Sequence, residues 1–259
     1  MTERLATSRI RFATRYAVRH LALSALVAAL SAAAVFGLLY PAPYRDLLGV
    51  GAIFLLVLAV DMVCGPLLTW ILASPKKSRR ERWLDFCLIG LIQLAALAYG
   101  LHSVWAARPV VLAFEVDRLV VVTANEIDPA QLAQAPEGLR RLPWWGVRQL
   151  GTRRPANNQE MLEGVERGLS GISPAMQPLW WLPRDEQLAA MKARARPLAD
   201  LIIHSPQDAQ TLRDAAHAFG ADPASLLYLP LTSSKSKEWV ALLDAQMNMV
   251  GWAPVDGFF

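Results

Sequence analysis

In the stretch LAVDMVCGPLLTW, residues 58–70, a single carboxylate, Asp61, interrupts an apolar run, with Gly65 one helical turn further on and Pro66 beside it. An acid so placed has two chemical uses. Paired with a second carboxylate it can activate a water, as intramembrane aspartyl proteolysis requires; alone it can make hydrogen bonds. The candidate second acid, Asp85, opens the next apolar run at its edge rather than at the depth of Asp61, and the chain contains no GxGD sequence. Paired-acid chemistry is therefore not expected. Gln93, in the interior of that next run, suits hydrogen bonding better. Glycine lets two helices approach closely, and proline removes a backbone donor and can kink the helix. Asp61, Gly65, Pro66 and Gln93 are thus read as one polar notch. It serves either to hold this protein's own helices together or to receive the transmembrane helix of a partner.

No other constellation announces catalysis. His204 and His217 fall on separate elements, and H-E-x-x-H, G-x-S-x-G and Gly-rich phosphate-loop patterns do not occur. Cys64 and Cys87 lie in apolar stretches without the spacing of a metal site or a disulfide framework. No catalytic, cofactor-binding or metal-ligating residue is assigned, and no cofactor is expected. Trp144-Trp145 and Trp180-Trp181 fit core packing, or an aromatic belt at lipid headgroups, better than carbohydrate binding.

The elements that must position the notch are three apolar runs: about 21–40, 47–73 and 86–107. A hydrocarbon core about 30 Å thick takes about 20 helical residues, and each run suffices. The first run is longer than the about 7–15 residues of a signal-peptide core and reads as an uncleaved anchor. At 1.5 Å per residue, Asp61 stands about 18 Å above Ala73 and Gln93 about 15 Å above Trp83, close enough in depth to bond between antiparallel neighbours. Basic residues set the orientation. Arg4, Arg9, Arg11, Arg15 and Arg19 precede the first run, and Lys76, Lys77, Arg79, Arg80 and Arg82 separate the second from the third. Both segments are expected in the cytoplasm, which leaves residues 108–259 outside, in the periplasm if the cell is Gram-negative.

Charge follows the same division. Residues 1–107 carry 11 Lys or Arg against 5 acids, whereas 108–259 carry 15 against 17, so the basic balance belongs to the membrane region and argues against nucleic acid as a partner. The expected organisation is a basic cytoplasmic segment (1–20), a three-helix transmembrane region (21–107) and a small α+β extracytoplasmic domain (108–259). In that domain residues 110–123 read as one or two strands, Asp128-Pro129 as a helix start, and NQEMLEGVERGLSG as a short helix closed by glycine. A further helix starts near Asp185, and another is capped by Ser205 and closed by Gly220. Residues 239–243 and 249–253 are expected to pair as a hairpin.

The words YPAP, then VD with GPLLT, then Q with ALAYG, then RPVxxxFxVDR, occur in this order between Tyr40 and Asp128, and KEWVALLD with VGWAPVDGFF closes the chain. In these the chain resembles the TfpX/TfpZ-type type IV pilin accessory proteins, most closely over residues 40–128. The resemblance implies a bacterial inner-membrane protein that binds a cognate type IV major pilin and assists its stability or assembly without catalysis. A pilin awaiting assembly is one membrane helix with a globular head outside. Asp61, Gly65, Pro66 and Gln93 would then meet the helix, and Trp239 and Trp252 the head. Two other classes stay open: a membrane-anchored sensor of a periplasmic ligand, and an enzyme that modifies the pilin.

Overall fold

The computed structural model describes residues 2–258, without the side chains of residues 2–7 and Ile53. The side chain of Arg4 in the basic segment, and Phe259 of the closing motif, therefore lie outside what is described. The chain forms two compact units, Met1–Leu39 with Gly49–Ala106, and Tyr40–Leu48 with Ala107–Phe259.

The first unit is helical. Helix α1 (Thr2–Ala34) continues through a π-helical turn at Val35–Leu39; the short α2 (Tyr44–Leu47) belongs to the second unit; α3 (Val50–Leu72) and α4 (Arg79–Ala106) complete the first. All three long helices are long and apolar enough to cross a membrane. Two start earlier than their apolar runs. The arginines ahead of residue 21 lose little rotamer freedom in a helix, so α1 extends back through them. In α4 a capping box sets the start: the Glu81 amide donates to Ser78 Oγ at 3.2 Å and the Ser78 amide to Glu81 Oε2 at 2.7 Å.

Small residues face inward on α1, with Ala13, Ala28 and Ser31 buried, which permits close approach of its neighbour α3. Leu23, Leu26, Leu30, Leu55, Leu56, Leu91 and Leu94 are exposed. A contiguous apolar surface of this extent suits hydrocarbon rather than water.

The second unit is built on one mixed sheet. Its strands are β1 (Pro109–Glu115), β2 (Arg118–Thr123), β3 (Arg148–Thr152), β4 (Trp181–Pro183), β5 (Arg196–Pro197), β6 (Leu227–Thr232), β7 (Trp239–Leu243) and β8 (Met249–Ala253). They are ordered β4-β3-β1-β2-β6-β7-β8, with β5 also paired to β6. The expected hairpin of 239–243 and 249–253 is the antiparallel β7–β8 pair. Residues 110–123 form two strands, β1 and β2. Helices α5 (Pro129–Leu132), α6 (Asn158–Leu169), α7 (Arg184–Arg194), α8 (Leu198–His204) and α9 (Ala209–Ala218) complete the unit. Asp128 caps α5 as expected. Ser205 instead precedes a 3₁₀ turn, Pro206–Asp208, and makes no side-chain cap.

Successive side chains of a strand point to opposite faces. Leu112, Phe114, Leu119 and Val121 therefore enter one core, and Val111, Ala113, Val120 and Val122 another across the sheet. Burial on both sides explains why β1 and β2 read as continuous apolar runs. The first of these cores contains Tyr44 and Leu47, from the short connection between α1 and α3. Leu47 is 1% exposed, and its carbonyl accepts a hydrogen bond from Ser233 Oγ at 3.2 Å. A span-by-span reading leaves Tyr40–Leu48 inside the region 21–107; in the structure these residues are part of the sheet domain. Gly49, at φ 63°, marks the passage back into helix, and α3 consequently begins at Val50 rather than at Leu47.

Burial also sets the ionisation of this segment. It pushes the Tyr44 phenol up to about 12, and raises that of Tyr40 further, against the opposing charge of Arg108. Both tyrosines stay neutral at physiological pH.

Candidate functional site: a polar network beside an intramembrane cleft

The notch forms, with a different wiring from the one its residue types suggest. Gln93 Nε2 donates to the backbone carbonyl of Asp61 at 2.9 Å, not to its carboxylate. Pro66 deprives the next carbonyl, that of Met62, of its i+4 donor. Gln93 Oε1 accepts from His20 Nε2 at 2.7 Å, and in that tautomer His20 Nδ1 accepts from the Thr69 hydroxyl at 2.5 Å. One residue from each long helix thus joins a single chain of hydrogen bonds: His20 of α1, Thr69 of α3 and Gln93 of α4. Gly65 is buried against the Gln93 carboxamide, and a Cβ there would overlap it.

Beside this network lies a cleft of about 160 Å³, lined by His20, Ser24, Leu58, Asp61, Gln93 and Leu97 among others. The Asp61 side chain is half-buried on its wall, and among the described residues no side-chain hydrogen bond or ion pair engages its carboxylate. Asp85 is not part of the cleft; its carboxylate is paired with Lys77 Nζ at 2.6 Å. Among the described residues no group of three His, Cys, Asp or Glu side chains is placed to hold a metal ion.

His20 and Thr69 are the residues that residue-type reasoning missed. Starting the first span after the last ionisable side chain, which is His20 itself, leaves His20 outside it, although His20 is the polar residue nearest the run. Thr69 lies eight residues beyond Asp61 and four beyond Gly65, the helical spacing of a common face, and that periodicity was the available signal.

In the sheet domain, Trp239 and Trp252 are half-buried. Trp252 stacks at a tilt on Phe219, ring centroids 4.5 Å apart, and both tryptophans pack on the core beneath them. A row of exposed apolar side chains lies elsewhere, on α6: Met161, Leu162, Val165 and Leu169. Their spacing makes one stripe of an amphipathic helix.

Helix α6 is anchored at its start. The Glu160 amide donates to Asn157 Oδ1 at 2.9 Å, and Arg153 donates twice to the Glu160 carboxylate, at 2.7 and 3.0 Å. The two Arg153 bonds, then one from the Ala156 amide, lower the Glu160 carboxyl from 4.5 to about 2. A depressed folded value means stabilisation that is present above the unfolded value and lost on acidification. Protection of the α6 amides from hydrogen exchange should therefore hold above pH 4.5 and decline as pH falls through about 2. Glu160→Gln should abolish that dependence; an unchanged acid profile would show that the pair does not order the helix.

The chain is similar to known fimbrial assembly proteins. The chain is 37% identical over 254 residues to the fimbrial assembly protein of serogroup I from Dichelobacter nodosus, covering 96% of this chain and 98% of that one. It is 34% identical to the serogroup E1 protein, with the same coverage of both. This chain belongs to the fimbrial assembly protein family. The family model for the fimbrial assembly protein FimB matches residues 8–49, the stretch from α1 through the segment that enters the sheet core. A shorter relative, from serogroups C1 and C2, is 41% identical over 127 residues, 49% of this chain and 97% of its own length. No solved structure matches. A role in fimbrial biogenesis and attachment to a membrane through three apolar helices follow for this fimbrial assembly protein.

Proposed function

We propose that this chain is a non-catalytic inner-membrane accessory protein of type IV fimbriae that binds the fimbrial subunit before its assembly. The cleft beside Asp61 receives the apolar helix of the pilin, and the sheet domain, on the periplasmic side, meets its head. The observation that carries this reading is the division of labour in the notch. The protein's own helices are joined through His20, Thr69, Gln93 and a backbone carbonyl, whereas the Asp61 carboxylate faces the cleft unused. An ionisable group at membrane depth costs about 2.5–3.5 kcal/mol on insertion scales, and such groups mark functional sites.

Sidedness has support from packing as well as from charge. Tyr44 and Leu47 share a core with β1, β2, β6 and β7, so the α1–α3 connection and the C-terminal residues lie on one side of the membrane. That requires an even number of crossings between them, which α3 and α4 supply. The arginines and lysines before α1 and between α3 and α4 then belong in the cytoplasm.

The test is photocrosslinking to the pilin in membranes from Leu23 and Leu94 in the cleft and from Leu162 and Trp252 in the sheet domain. Asp61→Leu should insert at normal abundance yet weaken pilin capture about three- to twenty-fold, the range of one intramembrane hydrogen bond of about 0.6–1.7 kcal/mol. Crosslinking that is undiminished by Asp61→Leu would remove the cleft from the interaction. Lowered abundance of the variant itself would assign Asp61 to the protein's own bundle.

A second reading, a receptor for a small polar ligand, draws on an open cavity of about 510 Å³ in the sheet domain, lined by Glu115, Arg118, Ser173, Thr232, Ser234 and Lys237 among others. Stabilisation of the sheet domain by a polar metabolite, with pilin capture unaffected, would favour it.

A further inference from the structure

We infer that the Trp144–Trp145 loop is an interfacial membrane anchor, seating the sheet domain in the lipid headgroups independently of the three spanning helices. Four tryptophans occur as two adjacent pairs, and the structure treats them oppositely. Trp180 and Trp181 are buried, 8% and 1% exposed, whereas Trp144 and Trp145 are 70% and 75% exposed. Two adjacent large aromatic rings presented to water have no counterpart elsewhere among the described residues of this domain.

The loop's location points to lipid as the occupant. Helix α4 ends at Ala106, and Arg108, two residues on, is buried with its Nη2 donating to the carbonyl of Pro143 at 2.9 Å. Pro143 immediately precedes Trp144. The double-tryptophan loop is thus tied to the chain just past the last apolar helix, and two residues of extended chain span no more than about 7 Å. Its shape is held by the protein: Arg140 Nε donates to the Ala135 carbonyl and Arg148 Nη1 to the Gly138 carbonyl, each at 2.8 Å. Gly146 turns the chain at φ 73° just beyond the rings, a conformation that suits glycine.

Its chemistry matches a headgroup layer. Tryptophan concentrates at that depth because its ring is apolar while its indole N–H can still find an acceptor. Arg140 and Arg141 are exposed in the same loop, and basic side chains beside such rings are drawn to anionic lipid. This inference requires only that the chain is membrane-anchored, and it stands or falls apart from pilin binding.

The experiment uses the full chain with its nine tryptophans replaced by fluorotryptophan, reconstituted in phosphatidylcholine vesicles with and without phosphatidylglycerol. Trp144→Phe and Trp145→Phe assign the two fluorine resonances. Spin-labelled headgroup lipid should broaden both, leave those of Trp180 and Trp181 sharp, and act more strongly in the anionic vesicles. Arg141→Gln should weaken the seated state about fivefold, equivalent to about 1 kcal/mol for one basic residue near an anionic surface. Full solvent isotope shifts at both rings, with no broadening by lipid, would overturn the inference. So would shielding that develops only when purified pilin is added, because the loop would then be a protein contact.

Discussion

Leu47→Ala should loosen the sheet domain by about 2–5 kcal/mol, although residue 47 lies between two membrane helices in the chain. Leu47 is 1% exposed in a core with Leu112, Phe114, Leu119, Val121, Leu229 and Leu231. Truncation there removes buried methyl groups and leaves a cavity under the sheet. Tyr44→Ala should act similarly, since an 8% exposed aromatic ring is lost from the same core. Domains are stable by only about 5–15 kcal/mol, so either change takes a large share. Proteolysis of the detergent-solubilised protein at sites within residues 109–258 should quicken for both variants. Arg45→Ala, an exposed residue between the two, should leave the rate close to that of the parent. Equal rates for all three variants would mean that the segment rests on the domain without supporting it.

Gly65→Leu should break the polar network at its crossing point. The Gln93 carboxamide occupies the space of the new Cβ, so the side chain must swing away, losing its bonds to His20 and to the Asp61 carbonyl. Two intramembrane hydrogen bonds at about 0.6 kcal/mol each, plus the forced separation of α3 from α4, should reduce accumulation of the protein in membranes severalfold. Gly65→Ala should be milder, because a single methyl group can be accommodated by the flexible end of Gln93. Gln93→Ala should relieve part of the defect of Gly65→Ala by vacating the space. If the double variant is no better than the sum of the singles, the close approach of Gly65 to Gln93 is not what makes residue 65 sensitive.

The sequence by itself determined the layout. Length and polarity of the apolar runs identify the spans, because hydrocarbon admits few polar groups and a helix satisfies its own backbone. Alternation and turn residues identify β1, β2 and the β7–β8 hairpin, since each is local or nearly so. The notch was legible as Asp61, Gly65, Pro66 and Gln93, residue types out of place in oil. Tertiary structure decided how they are used. Which atom of Asp61 meets Gln93, and that His20 and Thr69 complete the chain, depend on the rotation of three helices about their axes, which hydropathy does not encode. The same holds for the two tryptophan pairs, alike in sequence, of which one fills a core and the other faces out. Tyr40–Leu48 is the clearest case. Between two spans its residues read as a short loop, and only the packing of Tyr44 and Leu47 against strands some seventy to two hundred residues away reveals them as core. Contacts at such separation arise from the closed fold, where the buried face of the sheet selects any apolar side chains the chain brings within reach.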